Sequence, residues 1–160
     1  MSMTPMNNFD YLERVKFSEE LAEIEAAKAA YDALALKSKL NFNDELYAKL
    51  VNAVNGVNKI KADAVKALKL TAKSSAKKGS ITVKWTVKGD ASAADGYQVW
   101  KSTKQSKGYK KAITTTKKSY KNTKGLKKGT RYYYKVRAYK VVDGKNVYSD
   151  WSNKAYRVAK

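Results

Sequence analysis

The side chains that most often do chemistry at neutral pH are missing. The 160-residue chain has no histidine and no cysteine. That removes the commonest general base, the commonest metal ligand and every thiol reaction. Four carboxylates remain in residues 71–160: Asp90, Asp95, Asp143 and Asp150. Each falls where the residue pattern predicts a loop or turn. A two-carboxylate glycosidase site would need such groups to converge across a cleft. Asp90 and Asp95 allow, at most, a loop calcium. Glu19 and Glu20 stand where a helix is expected to begin and are explained by the helix dipole. There is no glycine-rich phosphate loop and no serine in a nucleophile elbow. The expectation is a non-enzymatic protein with no cofactor, no metal centre and no catalytic residue.

What the sequence does offer is stacking and charge. Gln98 and Trp100 alternate along one stretch. Tyr133, Lys135, Arg137 and Tyr139 alternate along another. If the two stretches are neighbouring strands, these six side chains share one outward surface. Aromatics interleaved with cations stack on sugar rings or bases while holding phosphate or carboxylate groups. The same residues also make cross-strand pairs that stabilise an exposed sheet with no ligand at all. Both readings stand at this point.

Charge is distributed unevenly. Residues 1–70 carry 10 basic and 10 acidic residues, whereas residues 71–160 carry 24 and 4, so the whole net charge of +20 lies in the second part. Lysines solubilise a sheet and discourage edge-to-edge pairing. They also attract polyanions in a salt-screened manner. Teichoic acids, acidic polysaccharides and mucin glycans are the expected classes. Specific nucleic-acid binding is disfavoured, because lysine far outnumbers the arginine used for base contacts.

The elements that must position these groups change character at residue 70. Residues 1–69 are read as a helical anchoring or oligomerisation domain, residues 70–160 as a β domain. In the first part, residues 1–17 fit a short helix or a docking arm. Ser18 caps a helix bearing Leu21, Ile24, Ala27, Tyr31 and Leu34 at three- and four-residue steps. Asn43 caps a second, with Asp44 and Glu45 in its first turn. Leu46, Leu50, Ala53, Val57, Ile60, Ala64 and Leu68 follow at near-heptad spacing. The short connection predicts an antiparallel hairpin. Two helices bury little area alone, so this seam is expected to gain a third element, self-associate, or dock on a larger partner. No run of about 18 apolar residues exists to span a membrane.

From Leu70 the hydrophobic period is two, the mark of strands with one buried face. Leu70 and Ala72 begin it, and Lys77-Lys78-Gly79 turns. Ile81, Val83, Trp85 and Val87 point inward along a second strand, Tyr97 and Val99 along Gly96–Ser102. Residues 109–116 form another strand, with Ala112 and Ile113 near its centre. A short one over Ser119–Asn122 places Tyr120 inward. The long strand in LKKGTRYYYKVRAY (Leu126 to Tyr139) buries Tyr132, Tyr134, Val136 and Ala138. Asp143-Gly144 signals a type I′ hairpin. Residues 146–160 return, interrupted by the turn-like Ser149-Asp150-Trp151-Ser152.

Leu126, Gly129, Thr130, Tyr132, Tyr134, Val136 and Ala138 resemble the E–F corner and F strand of a fibronectin type III domain. Trp85 is similar to that family's buried B-strand tryptophan, and GYQVWKS to its C strand. The resemblance covers residues 70–158. It implies a seven-stranded antiparallel β-sandwich in which the Tyr132 hydroxyl bonds upstream backbone. With the helical part, the expected fold class is α+β in two parts. The departure is proline: Lys128 precedes the corner glycine, and Pro5 is the only proline. The lysine-rich wording looks like modules from extracellular proteins of Gram-positive gut bacteria and their phages. The N-terminus lacks a secretory signal pattern. The resemblance and layout together lead to the expectation of a phage virion accessory protein, a capsid- or tail-attached decoration or fibre. The alternatives are a bacterial cell-surface adhesion protein and, less favoured, an intracellular polyanion-binding protein.

Overall fold

The computed structural model describes residues 8–33 and 44–160, with side chains over 20–32 and 44–160. Two compact units result, Met1–Lys59 and Ile60–Lys160.

In the first unit, α1 runs Asn8–Ala33 and α2 begins at Asp44, ending at Lys66 in the second unit. Helix α1 passes straight through Ser18, which was expected to cap it. An internal serine lowers helix propensity only slightly, and good helix formers flank this one. Asp44 and Glu45 do lie in the first turn of α2, at its positive end. Tyr31 of α1 stacks on Tyr47 of α2, ring centroids 4.2 Å apart.

The expected seam is only partly a seam. Leu21, Ile24, Tyr31 and Leu50 are half-buried and Val57 is buried. Leu46 and Ile60 are 56% and 50% exposed. Leu34 lies outside the described residues. A straight helix drifts by about 20° per heptad against a 3.5-residue repeat, so a stripe from Leu46 to Leu68 cannot keep to one face. Leu68 is a correction. It follows the end of α2 and is buried, with Val65, in the core of the second unit. That unit starts at Ile60 rather than Leu70 because the last turn of α2 packs on the sheets.

The second unit is a sandwich of two antiparallel sheets. Strands β1 (Lys69–Lys77), β2 (Ser80–Lys88) and β5 (Ser119–Asn122) form one, in the order β1-β2-β5. Strands β3 (Gly96–Ser102), β4 (Lys110–Thr115), β6 (Arg131–Val142), β7 (Lys145–Tyr148) and β8 (Ala155–Val158) form the other. Its order is β4-β3-β6-β7, and β8 also pairs with β6. The count is eight rather than seven because the return strand breaks into β7 and β8. The alternation seen in the sequence is realised: Leu70, Ala72, Ile81, Val83, Trp85, Tyr97, Val99, Tyr132, Tyr134, Val136 and Ala138 are all buried in one core. The β6–β7 turn has positive φ at both Asp143 (50°) and Gly144 (72°), as a type I′ hairpin requires.

The corner closes as expected. The Tyr132 hydroxyl accepts from the Lys127 N–H at 2.8 Å and lies 3.2 Å from the Gly125 carbonyl, to which it donates. Tyr132→Phe would remove both bonds and leave the Lys127 N–H without that acceptor. A loss of about 1–3 kcal/mol is expected, readable as a lower urea midpoint with an unchanged m-value. An unchanged midpoint would show that the corner contributes nothing.

Candidate functional site

Strand β6 is the spine of the site. Its residues Tyr132, Tyr134, Val136 and Ala138 are buried in the core, so Tyr133, Lys135, Arg137 and Tyr139 share the opposite face. The register with β3 places Gln98 beside Arg137, Trp100 beside Lys135, and Gly96 beside Tyr139. All six sequence-derived residues therefore lie on one sheet face. Gly96 is needed there: a Cβ on it would stand 2.9 Å from the Thr115 carbonyl and 3.0 Å from the Tyr139 ring.

The face gains more aromatics than expected. Tyr148 pairs with Tyr139 across β7, and Tyr156 pairs with Tyr133 across β8. Trp151 arrives from the break between those strands. That break is held by side chains in place of backbone pairing. Ser149 Oγ accepts from the Ala138 N–H and Ser152 Oγ from the Val136 N–H, each at 2.9 Å. The backbone N–H groups of the same serines donate to Ala138 and Val136 carbonyls. Asn153 clamps the other side, its amide accepting from the Ala72 N–H and donating to the Ala72 carbonyl of β1. With Ser152 and Asn153 fixed, Trp151 lies against Trp100, edge to face at 5.8 Å.

The cations thread between the rings. The Arg137 guanidinium lies 3.5 Å from the Tyr148 ring centroid, 4.5 Å from Trp151 and 5.6 Å from Trp100. Lys135 Nζ lies 4.1 Å from the Trp151 centroid and 4.5 Å from Tyr109. Arg131 covers Tyr156 at 5.2 Å. Each contact is an attraction of a cation to a ring face, worth about 0.5–2 kcal/mol depending on desolvation. Burial pulls the Lys135 ammonium below its ordinary range, helped by the positive charges of Lys154 and Arg137. Burial does the same to Arg137. It pushes the Tyr109 phenol up.

Gln98 is a correction within the expected face. It is buried, and its Oε1 accepts from Arg137 Nε at 3.1 Å and Nη2 at 3.0 Å. Trp100 Nε1 stands 3.5 Å from the same oxygen. Gln98 therefore orients the guanidinium beneath the rings and does not present itself to a ligand. Its burial depends on how far the Arg137 side chain reaches, which strand periodicity does not encode. Trp100 and Tyr139 are half-buried. The exposed rings of this face are Trp151 (36%) and Tyr156 (49%), and Tyr133 is half-buried like Trp100 and Tyr139. Periodicity could have found Tyr148 and Tyr156. Trp151 had only the serine-flanked turn as a signal.

The carboxylates serve local structure. Asp90 accepts from the Ser92 N–H and hydroxyl. Asp95 accepts from the Val141 N–H at 2.8 Å and pairs with Lys140 at 3.0 Å. The Val141 bond leads in holding its carboxyl below the usual range. Asp150 pairs with Lys69. Acidic side chains are absent from the aromatic face among the described residues, so nothing there repels an anion.

Two packed antiparallel sheets with this strand order and a tyrosine corner define an immunoglobulin-like β-sandwich. The chain belongs to the fibronectin type III family, whose domain pattern matches residues 63–154, more than half its length. Among solved structures it is similar to an Fn3-like protein from Clostridium thermocellum, at 27% identity and TM-score 0.45, over 60% of this chain and 95% of that one. It is also similar to part of a beta-1,2-glucanase from Parabacteroides distasonis, at 24% identity and TM-score 0.48, over 59% of this chain. There the match spans only 13% of the glucanase. A human fibronectin type III domain matches at 18% identity and TM-score 0.43, over 56% of this chain and 84% of that one. Comparison with curated proteins gave no match. No described helix is long and apolar enough to cross a membrane.

Proposed function

We propose that this chain is a non-enzymatic adhesion protein whose sandwich binds glycan chains weakly through the β3–β6 face. The observation that carries this is the cation-threaded stack of Trp100, Lys135 and Arg137 that holds Trp151 at the surface. A ring already fixed by Arg137 and Lys135 loses little entropy when a sugar stacks on it, which is the advantage of preorganisation. The neighbouring cations add attraction for acidic sugar substituents. The helical unit is the attachment part, joining the chain to a larger assembly or to further copies of itself. A phage particle, by capsid or tail, is the assembly that the lysine-rich wording of the sandwich favours. The sandwich would then be displayed toward the host envelope.

The test is co-sedimentation of the full chain with purified particles and, separately, with host envelopes stripped of phosphodiester polymers. Envelope binding should fall at least tenfold in Trp151→Ala while particle binding is unchanged. Equal envelope binding by the variant would reject the aromatic face. Absence of particle binding, with envelope binding intact, would reject the virion placement in favour of a bacterial surface protein.

A further inference from the structure

The opposite sheet has a different chemistry on its outward side. Along β1 the exposed residues are Lys69, Thr71, Lys73, Ser75 and Lys77. Along β2 the outward positions are Thr82, Lys84, Thr86 and Lys88, and along β5 Ser119 and Lys121. Lysine, threonine and serine make up this whole face. Trp85 and Tyr120, the aromatics of these strands, belong to the core side. Arg131, Arg137 and Arg157 all lie on the other sheet.

The register sets like charges against each other. Lys69 stands directly opposite Lys88, and Lys73 directly opposite Lys84, with Thr71 and Thr86 paired between them. Like charges at directly opposed positions destabilise a sheet. Edge protection does not account for the arrangement, because β2 is the central strand of its sheet and carries two of these lysines. Relief from acids is slight. Asp150 pairs with Lys69, and Lys73, Lys84, Lys88 and Lys121 form no ion pair among the described residues. A polyanion laid along the face would relieve the repulsion.

From this geometry we infer that the β1-β2-β5 face is a second binding surface, for a linear phosphodiester polymer without bases. Three features select that class. Lysines recur every four residues on β1, about 13 Å apart, beside a second row about 5 Å away on β2, so charge runs in a line along the strands. Ammonium point charges flanked by hydroxyl donors suit phosphate oxygens, whereas paired carboxylates favour the arginine fork that is absent here. With no outward ring, neither bases nor sugar faces can stack. The inference rests on the adhesion reading but not on the aromatic face.

The probe is a poly(glycerol phosphate) chain, titrated against the full protein at two salt concentrations. Polygalacturonate, heparin and duplex DNA serve as comparators. The phosphodiester chain should bind most tightly, with affinity falling steeply as salt rises. A Lys73→Gln, Lys84→Gln, Lys88→Gln, Lys121→Gln variant should lose at least tenfold in affinity and melt no lower than the parent at low salt. Trp151→Ala should bind this polymer as the parent does. In the parent, backbone amide shifts on titration should centre on Lys84 and Lys88, a readout that stands even if the variant folds poorly. Undiminished binding by a folded glutamine variant, tighter binding of any comparator, or amide shifts confined to β6 would each overturn the inference.

Discussion

Arg137→Met should loosen the aromatic face while leaving the core intact. The methionine keeps most of the length but neither the charge nor the donors. Three ring contacts vanish, at Tyr148, Trp151 and Trp100. The buried Gln98 Oε1 loses both guanidinium bonds. That acceptor keeps only the long 3.5 Å contact from Trp100 Nε1, a loss of about 1–3 kcal/mol, to which the lost cation–π attraction adds. A total destabilisation of about 2–4 kcal/mol is therefore expected by urea titration. Tryptophan emission should shift to the red as Trp100 and Trp151 gain water. Glycan affinity should fall with it, because Trp151 is no longer held in place. Arg137→Lys should recover charge but not the two bonds to Gln98, and so only part of the loss. A variant as stable as the parent, with unchanged emission, would show that the stack is incidental.

The largest loss of stability is expected at Tyr134. It has no solvent exposure and is the largest fully buried side chain among the described residues. Its hydroxyl accepts from Asn122 Nδ2 at 2.9 Å, a bond from β5 of one sheet to β6 of the other. Tyr134→Ala should cost about 3–5 kcal/mol, as large aromatic deletions in cores do. Tyr134→Phe keeps the volume but strands the Asn122 amide, with about 1–3 kcal/mol expected. The pair also predicts a pH dependence. Burial pushes the Tyr134 phenol up from 10.0 to about 12, against a smaller opposite pull from Asn122. The folded state thus holds this proton more tightly than the unfolded chain does. The stability it contributes is complete below pH 10.0 and is lost as pH rises toward about 12. Urea midpoints across that range should fall less steeply in Tyr134→Phe. Identical slopes would remove Tyr134 as the source.

The sandwich was legible in the sequence because each strand has one wet and one buried face, and period two reports that directly. Trp85, Tyr132 and Tyr134 could be assigned to the core from spacing alone. The six-residue face was also legible, since strand parity fixes which side a residue takes. Parity does not report depth. Gln98 and Trp100 have the parity of surface residues, yet Arg137 covers the first and Trp151 packs on the second. Trp151 itself sits in a break, where direction is set by Ser149, Ser152 and Asn153 and not by any repeat. The helical part was less legible for a related reason. Its stripe from Leu46 to Leu68 reads as one seam only if helix and repeat stay in phase, and Leu68 instead lies beyond the helix, in the sandwich core.

The most direct test is a backbone amide shift map of the full chain titrated with host-envelope oligosaccharide. Shifts are expected at Tyr133, Lys135, Arg137 and the loop around Trp151, with little change on β5. Shifts spread evenly over the lysines, or none at saturating sugar, would contradict it.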